Sequence, residues 1–574
     1  MKLYQPILCL LFFTGFINLV FSQSSRTTIY YNAKIFTANS AQPYAEAVAI
    51  RGKKILAVGN FKEVLAAAGT EAETKNLQGR CLLPGFIDSH SHSIDGGESL
   101  LRPNVSDSSY TPEDLLSFVN NIRTTKEGMM GNIIVIDGLN ISTWSYIDRL
   151  NKLFSDGKYT SQPVLLRGSD GHTAWANKAL CTTAGLDKDY ITSLSPDKKK
   201  YFGYNSNNEP NGFVADSGSA KIDAVLPASN TDYKKAAQKA IEYNNALGIT
   251  AWLDPAAGNT SGKTFHILDA YRYLAESNQL SAHVAATIVA NANGDIQRQI
   301  GTVKGLQKKY AGNADFTILG FKIFADGVIE YPTQTAALSK LYTNSSSSGV
   351  LMYHPAKFKS FVTAADKAKL LVHVHAIGDL AVTETLNGFE AMRKSNGNSG
   401  IPHTITHIQV AQPSDFDRFK QLNILASLQL LWALGDVTTI DIVKPYIDPE
   451  LYRYQYPARS LLQAGATICG ASDWPVSTAN PFEAIYEAET RKGKMGVLDS
   501  TQCMPRLEML YAYTIHAAKA LMMEDKIGSI KAGKSADLIL LDRDVLTTNA
   551  ESFKTTKVIW TMFEGKLVYQ ANKE

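Results

Sequence analysis

The chain has 574 residues, of which 45% are hydrophobic and 10% aromatic, enough apolar material for a large buried core. Its 57 Lys and Arg nearly balance 54 Asp and Glu, for a net charge of +3. This balance gives no broad basic surface for nucleic acid or anionic lipid. A globular, enzyme-like protein is expected, and a homo-oligomer is compatible with the sequence.

The N-terminal segment has the pattern of a secretory signal peptide. Lys2 is followed by an apolar run from Ile7 to Phe21 and then by Ser22, which predicts a signal over residues 1–22. The run is short for a membrane span of ~20 residues, so an uncleaved anchor is the less favoured alternative. We therefore expect an exported protein, periplasmic or secreted, with no membrane span after cleavage.

Four cysteines follow the signal segment: Cys81, Cys181, Cys469 and Cys503. They are far apart and form no C-x-x-C pair, so a thiolate zinc site is not indicated. An oxidising compartment would permit a disulfide, but the spacing does not assign one.

Both ends of the chain are rich in short alternating strands. Residues 23–83 and 525–574 show this pattern with Gly at the turns, which predicts one small β-domain built from both ends. Between them, residues 84–524 alternate apolar strands with amphipathic helices, as in parallel α/β folds.

Eight strand-like runs in this middle region predict a (β/α)8 TIM barrel. They are LLPGFIDSHSH, ITAWLDP, HVAATIVAN, FTILGFKIFADG, LLVHVHAIGD, HTITHIQV, ILASLQLLW and ATICGASDWP. The first two are separated by an insertion of about residues 93–245, which carries its own strands, IIVIDG and PVLLRGSDGH. We interpret it as an inserted α/β subdomain that partly roofs the site.

The first run ends in a candidate metal motif. His90 and His92 follow the apolar pair Phe86-Ile87. Residues two apart on an extended segment face the same side, so both imidazoles can reach one ion. Taken alone, the motif fits two polar loop residues equally well.

Further candidates end other predicted strands: Lys322, His375, His407 and Asp473. A single histidine near a strand is usually a hydrogen-bonded core residue. Several such side chains at separate strand ends would, however, meet at the mouth of one barrel. Imidazole and carboxylate ligands suit zinc or a related transition metal.

Lys322 is the least obvious of these candidates. Burial favours its neutral amine, which can react with carbon dioxide to form an anionic carbamate able to bridge two metals. The alternative, which the sequence alone favours, is an ion pair with Asp326.

At this point the chain resembles the amidohydrolase superfamily, and closely its YtcJ-like, amidohydrolase family 3 branch, which includes N-substituted formamide deformylases. The resemblance covers nearly the whole chain after the signal segment. It rests on PGFIDSHSH, DGHTAWANKAL, FKIFADG, HVHAIGD, ITHIQV, GASDWPV, AYTIHAAKA and GSIKAGKSADLILLDRD. The resemblance implies a TIM barrel with a β-sandwich-like domain formed by both chain ends.

The resemblance also implies a role for each metal candidate. His90 and His92 match ligands of the more buried metal, Lys322 matches a carbamylated bridge, and His375 and His407 match ligands of a second metal. Asp473 matches the aspartate of the eighth strand. One or two divalent ions, zinc above all, are therefore expected.

The expected reaction is hydrolysis of a carbon–nitrogen bond in a small non-peptide amide. A bound metal lowers the pKa of water from 15.7 toward ~7. Asp473 is the expected general base, which then protonates the leaving amine.

The predicted substrate-binding residues are His172, Asp170, Asn177 and Trp432. His172, in DGHTAWANKAL, would donate a hydrogen bond to the substrate carbonyl; alternatively, it only orders the insertion. One departure from the family pattern is Asp216, at a position where glutamate is expected.

Two other functions compete with this one. A mononuclear deaminase-type member would release ammonia from a ring carbon, but such sites usually lack the bridging lysine. A non-catalytic barrel protein would be expected to lack ligands, whereas every ligand position is filled here.

Overall fold

The computed structural model describes residues 26–101, 104–108, 110–126, 129–227 and 231–572. The predicted signal peptide, residues 1–22, lies outside these ranges. Within them, no helix has both the length and the apolar character needed to cross a membrane.

Eight parallel strands form a nearly closed barrel, and each lies within one of the predicted runs. In chain order they are β1 Phe86–Asp88, β2 Ile249–Asp254, β3 His283–Val289, β4 Phe316–Phe324, β5 Leu371–Ala376, β6 Thr404–His407, β7 Leu425–Leu428 and β8 Ile468–Gly470. Neighbours in sequence are neighbours in the sheet. Ser89 donates its backbone N–H to the carbonyl of Gly470, which joins β8 to β1. The predicted TIM barrel is confirmed.

Helices cover the outside of the barrel, so its strands are buried on both faces. Every residue of β2 and β5 is buried, as expected for parallel strands between a packed interior and a helical layer. Several helices begin with Pro at the first position, where the missing N–H costs no hydrogen bond. The main barrel helices are Tyr233–Ala246, His266–Glu276, Ile296–Lys309, Pro355–Lys367, Asp379–Asn396, Pro413–Leu422, Ala458–Gln463, Pro481–Thr490 and Arg506–Tyr511.

The two chain ends build one β-domain. Its eight strands are Thr27–Phe36, Tyr44–Arg51, Lys54–Gly59, Glu73–Asn76, Cys81–Pro84, Leu538–Leu541, Val558–Phe563 and Lys566–Gln570. The first strand is bulged after Tyr31. Its first half pairs with Glu73–Asn76 and its second half with Cys81–Pro84, which in turn pairs with Leu538–Leu541. Both ends of the chain therefore contribute to one apolar cluster.

The insertion between β1 and β2 has its own sheet. Its strands are Asn104–Ser108, Met129–Met130, Ile133–Leu139, Val164–Gly168, Thr173–Ala176, Phe202–Tyr204 and Pro210–Ala215. Its longer helices are Ser93–Ser99, Pro112–Thr125, Ile147–Phe154, Lys178–Ala184 and Lys188–Ser193. The apolar clusters on the two faces of this sheet are separate from the barrel core, so the insertion is a subdomain.

Long connections leave the carboxyl ends of β4 and β7. Residues 325–354 follow β4, and residues 429–457 follow β7 with only short helical turns. Together with the subdomain they enclose the mouth of the barrel, where TIM-barrel active sites form.

Candidate metal centre and adjoining pocket

Three side chains at the barrel mouth have the spacing of ligands to one metal ion. Asp473 Oδ1 lies 3.2 Å from His90 Nε2 and 3.3 Å from His92 Nε2. This oxygen is buried and has no hydrogen-bond partner among the described residues. Two ligand atoms on one tetrahedral zinc, each ~2.0–2.1 Å from it, are about 3.3 Å apart. The orphaned oxygen and its two imidazole neighbours therefore fit a divalent ion.

Backbone hydrogen bonds hold the two loops that carry these ligands. The N–H of Asp473 donates to the carbonyl of His90 at 2.8 Å, and the N–H of His92 donates to the carbonyl of Trp474 at 2.9 Å. Asp473 has a φ of 57°, a left-handed conformation that is uncommon for non-glycine residues and that concentrates at functional sites. The fold thus fixes the aspartate against the first-strand histidines.

His373 orients the ring of His90 and was not among the predicted site residues. The Nδ1 of His90 lies 2.7 Å from the Nε2 of His373, which leaves the Nε2 of His90 facing Asp473. Burial, with the charge of Lys322, lowers the pKa of His90 to about 3, so its ring is neutral, as a ligand must be. The sequence feature that points to His373 is its spacing of two residues from His375, which places both side chains on the same face of β5.

Lys322 is buried beside this centre. Its Nζ lies 3.4 Å from the Nε2 of His90, and burial lowers the pKa of the amine to about 7. The alternative of an ion pair with Asp326 is wrong. Asp326 instead accepts hydrogen bonds from the backbone N–H groups of Ala337, Ile377 and Gly378.

His375 and His407 lie next to the same centre. Their ring centroids are 4.5 Å apart, and the Nδ1 of His407 is 4.0 Å from the Oδ2 of Asp473. The Nδ1 of His407 also lies 3.0 Å from the Oε1 of Gln429, a buried residue that sequence reasoning missed. The sequence feature that points to Gln429 is that it is the one amide side chain in the apolar run ILASLQLLW.

All six predicted metal residues line one cavity of about 540 Å³. They are His90, His92, Lys322, His375, His407 and Asp473. Their convergence follows from the shared carboxyl edge of the barrel strands. Metal ligation by the six stays a prediction.

The inserted subdomain adds a charged histidine to this cavity. The Nδ1 of His172 lies 2.6 Å from the Oδ1 of Asp216, and its ring centroid is 5.5 Å from that of His375. Burial opposes protonation, but the contact with Asp216 outweighs it and raises the pKa of His172 to about 9. At neutral pH the ring is therefore an imidazolium.

The other predicted pocket residues differ in their placement. Asp170 lines the cavity and accepts the backbone N–H groups of His172 and Thr173. Trp432 lines an adjoining pocket and stacks on His407 at 5.9 Å between ring centroids.

Asn177 requires a correction. It is fully buried and caps helix Lys178–Ala184, and it lines neither cavity at the mouth. Its amide is hydrogen-bonded to backbone groups of Phe154, Tyr159, Gln162, Val164 and Leu180. It therefore holds the subdomain together and does not contact a ligand in the pocket.

The sequence profile of the amidohydrolase family matches residues 73–569. The chain belongs to the amidohydrolase family. This confirms the resemblance inferred from the motifs.

Several relatives match almost end to end. Protein LONG AFTER FAR-RED 3 of Arabidopsis thaliana is 29% identical over 94% of this chain and 91% of its own length. The Bacillus subtilis protein YtcJ is 25% identical over 94% of this chain and 99% of its own length. The N-substituted formamide deformylase of Arthrobacter pascens is 24% identical over 95% of this chain and 98% of its own length.

A solved structure shares the fold of this amidohydrolase-family chain. An uncharacterised metal-dependent hydrolase from Pyrococcus horikoshii superposes with a TM-score of 0.67 at 23% identity. The match covers 92% of this chain and 99% of the other. The architecture of barrel, β-domain and insertion is thus a shared one.

Proposed function

We propose that this protein is a metal-dependent hydrolase of carbon–nitrogen bonds in small non-peptide amides. The observation that carries the proposal is the unpartnered Oδ1 of Asp473, buried between two imidazole nitrogens at 3.2 and 3.3 Å. Burying a carboxylate oxygen without a partner is costly, so a cation is the natural occupant of this position. Similarity to the formamide deformylase supports the bond type.

His90, His92 and Asp473 would hold a first divalent ion, with zinc favoured by the imidazole and carboxylate donors. Lys322, His375 and His407 would hold a second, provided that Lys322 is carbamylated. When bound, such an ion polarises a substrate carbonyl and makes a hydroxide nucleophile available near neutral pH.

Asp473 is the proposed general base. Its carboxylate accepts the proton of the attacking water and returns it to the leaving nitrogen as the carbon–nitrogen bond breaks. Contacts with His90 and His92 outweigh burial and hold the pKa of Asp473 well below its ordinary value, so the side chain is an ionised carboxylate that can accept a proton.

His172 is the proposed donor to the carbonyl oxygen. Its Nδ1 is bound to Asp216, so its Nε2 is the nitrogen left for a ligand in the cavity that His172 lines. An imidazolium directed at the oxygen would stabilise the negative charge that develops there. Asp216 acts through His172 and is a positioning residue.

The test is a panel of N-substituted formamides, acetamides and ring amidines on zinc-reconstituted protein, with bound metal counted on the same sample. We expect acid and amine products from the amides and at least one zinc per chain. Ammonia release from the ring amidines alone would overturn the proposal in favour of a deaminase. A protein that folds but binds no metal would overturn it in favour of a non-catalytic barrel.

Export is part of the proposal, because residues 1–22 have the pattern of a cleaved signal. N-terminal sequencing of the chain recovered from the periplasm or the medium is expected to begin at Gln23. Recovery of the intact N-terminus from the cytoplasm alone would contradict export.

A further inference from the structure

A second pocket leads away from the metal centre toward the connections that follow β4 and β7. It has a volume of about 270 Å³, and its wall includes Asp473, His172 and His407 at the metal end. Because these side chains also line the metal cavity, the two spaces adjoin. A substrate whose scissile bond lies at the metal would extend into this second pocket.

The part of the pocket wall that is not shared with the metal cavity is aromatic and acidic. Trp432 and Tyr456 contribute the rings, with aliphatic side chains between them. Glu330, Asp436 and Glu487 contribute three carboxylates, each from a different segment of the chain. Among the described residues, no Lys or Arg lines this wall.

Glu330 and Asp436 are held in place from the protein side. One oxygen of Glu330 accepts the Gln409 amide at 3.0 Å, and one oxygen of Asp436 accepts the backbone N–H of Thr439 at 3.0 Å. Tyr456 lies close to both carboxylates. Burial, together with the charges of Glu330 and Asp436, raises the pKa of Tyr456 well above its ordinary value.

Glu487 supplies an independent sign of a missing partner. The residue is 4% exposed, and its Oε1 meets Lys554 at 3.2 Å. Its Oε2 is buried with no hydrogen-bond partner among the described residues, although the side chain forms part of the pocket wall.

Among the described residues, the pocket wall carries one cationic group, the His172 imidazolium at the metal end, against the three carboxylates, and it does not include the buried Arg491. Its guanidinium lies behind the wall and donates to the backbone carbonyls of Gln455 and Tyr456. Burial raises the pKa of Glu330, Asp436 and Glu487 above their ordinary values. Each buried carboxylate would be stabilised by a positive ligand group.

We propose that this pocket binds a cationic group, an ammonium or guanidinium, at the end of the substrate distant from the scissile bond. The inference rests on the proposed amide hydrolysis and narrows its substrate class to amides with an apolar spacer and a basic terminus. Carboxylates and aromatic rings on one pocket wall are the groups that recognise organic cations, through ion pairing and cation–π attraction.

The test compares three formamides of equal length that differ only at the distal end: N-formyl-1,5-diaminopentane, N-formylhexylamine and N-formyl-6-aminohexanoate. Binding is measured by calorimetry on zinc-loaded Asp473→Asn, so that the readout does not depend on turnover. We expect the ammonium compound to bind about tenfold more tightly than the neutral one, and the carboxylate compound to bind most weakly.

Further substitutions in the Asp473→Asn protein test whether the preference for the ammonium compound comes from the pocket. Replacing Glu330 and Asp436 together, by Glu330→Gln and Asp436→Asn, is expected to remove the preference while keeping the amide hydrogen bond and the helical cap. Glu450→Gln, which removes an exposed carboxylate outside the pocket, is the matched control and is expected to keep the preference.

The proposal is overturned if the neutral compound binds as tightly as the ammonium compound, if the ammonium compound shows no binding, or if the double variant keeps the preference. Turnover of the same three compounds by the wild-type enzyme is measured separately. An intact preference for the cation without hydrolysis of any amide would refute the proposed reaction and leave the binding site standing.

Discussion

The carboxylate of Asp216 lies 2.6 Å from the Nδ1 of His172, and the backbone N–H of Asp216 donates to the carbonyl oxygen of His172 at 2.7 Å. Two contacts between the same residues fix both the position and the charge of the imidazole. Asp216 adopts a φ of 46°, a conformation that costs energy outside glycine and that these contacts maintain. The pair therefore presents one imidazolium N–H to the cavity.

Asp216→Asn should lower the pKa of His172 from about 9 toward its ordinary value of 6.5. We expect kcat at pH 8 to fall about tenfold, because a charge-assisted hydrogen bond contributes ~1.5–3 kcal/mol. The alkaline limb of the pH profile should move to lower pH.

The pH dependence of stability follows from the same shift. Because the folded pKa of His172 is raised, the stabilisation is complete below about pH 6.5 and is lost as the pH rises through about 9. If the dependence of kcat on pH is the same for Asp216→Asn as for the wild type, His172 does not act as a charged donor.

Asp473→Asn should reduce kcat at least about 100-fold while one metal stays bound, because the amide cannot accept a proton but keeps the shape of the side chain. Metal content and turnover of a good amide substrate are the measurements. Asp417→Asn, at an exposed position, is the control. Activity within a few-fold of the wild type would remove Asp473 from the role of base.

Lys322→Ala should lower the metal content from two ions per chain toward one and cost most of the activity, if the lysine is a carbamate bridge. A short carboxylic acid or bicarbonate should partly restore activity by supplying the missing anion. Exposed Lys359→Ala should change neither quantity. Two metals retained in folded Lys322→Ala would refute the bridge.

His283→Gln should destabilise the junction between the barrel and the β-domain. At the start of β3, the ring nitrogens of His283 lie 2.7 Å from Asp315 and 2.9 Å from Asp537. Burial opposes protonation of His283, but the two carboxylates outweigh it and raise its pKa. Removing this buried cation leaves Asp537 without its ion-pair partner, while Asp315 keeps Lys526, at a cost of about 3 kcal/mol.

The contribution of His283 is present below its ordinary pKa of 6.5 and is lost as the pH rises through the raised value. Denaturant melts at several pH values measure this dependence, with exposed His266→Gln as the control. Metal content should not change, because His283 is at the start of β3, whereas the candidate metal ligands lie at the carboxyl ends of the barrel strands. Equal melting of the two variants at pH 6 would contradict the role of His283.

Much of the fold can be predicted from local sequence patterns. The eight apolar runs predicted the eight barrel strands because a parallel strand buried on both faces must be apolar along its length. The placement of His90, His92, Lys322, His375, His407 and Asp473 on one cavity followed from the rule that strand ends of a barrel share an edge.

Other features of the site depend on contacts between distant segments. The prediction that Lys322 pairs with Asp326 rested on their proximity in the chain, but in the folded protein Asp326 accepts backbone N–H groups from its own connection and from the loop after β5. An asparagine can bind a ligand in a pocket or cap a helix, and the sequence does not distinguish these roles for Asn177. Only the folded subdomain shows that its amide is hydrogen-bonded to backbone groups.

The sequence by itself determined the strand and helix order, the family and the residues that can ligate a metal, because periodicity and motif spacing are properties of neighbouring residues. The tertiary structure decided which carboxylates are left without partners, that His172 is charged by Asp216, and that the pocket beside the metal is acidic. These properties arise from burial and from distances between residues far apart in the chain, and such distances exist only in the folded protein.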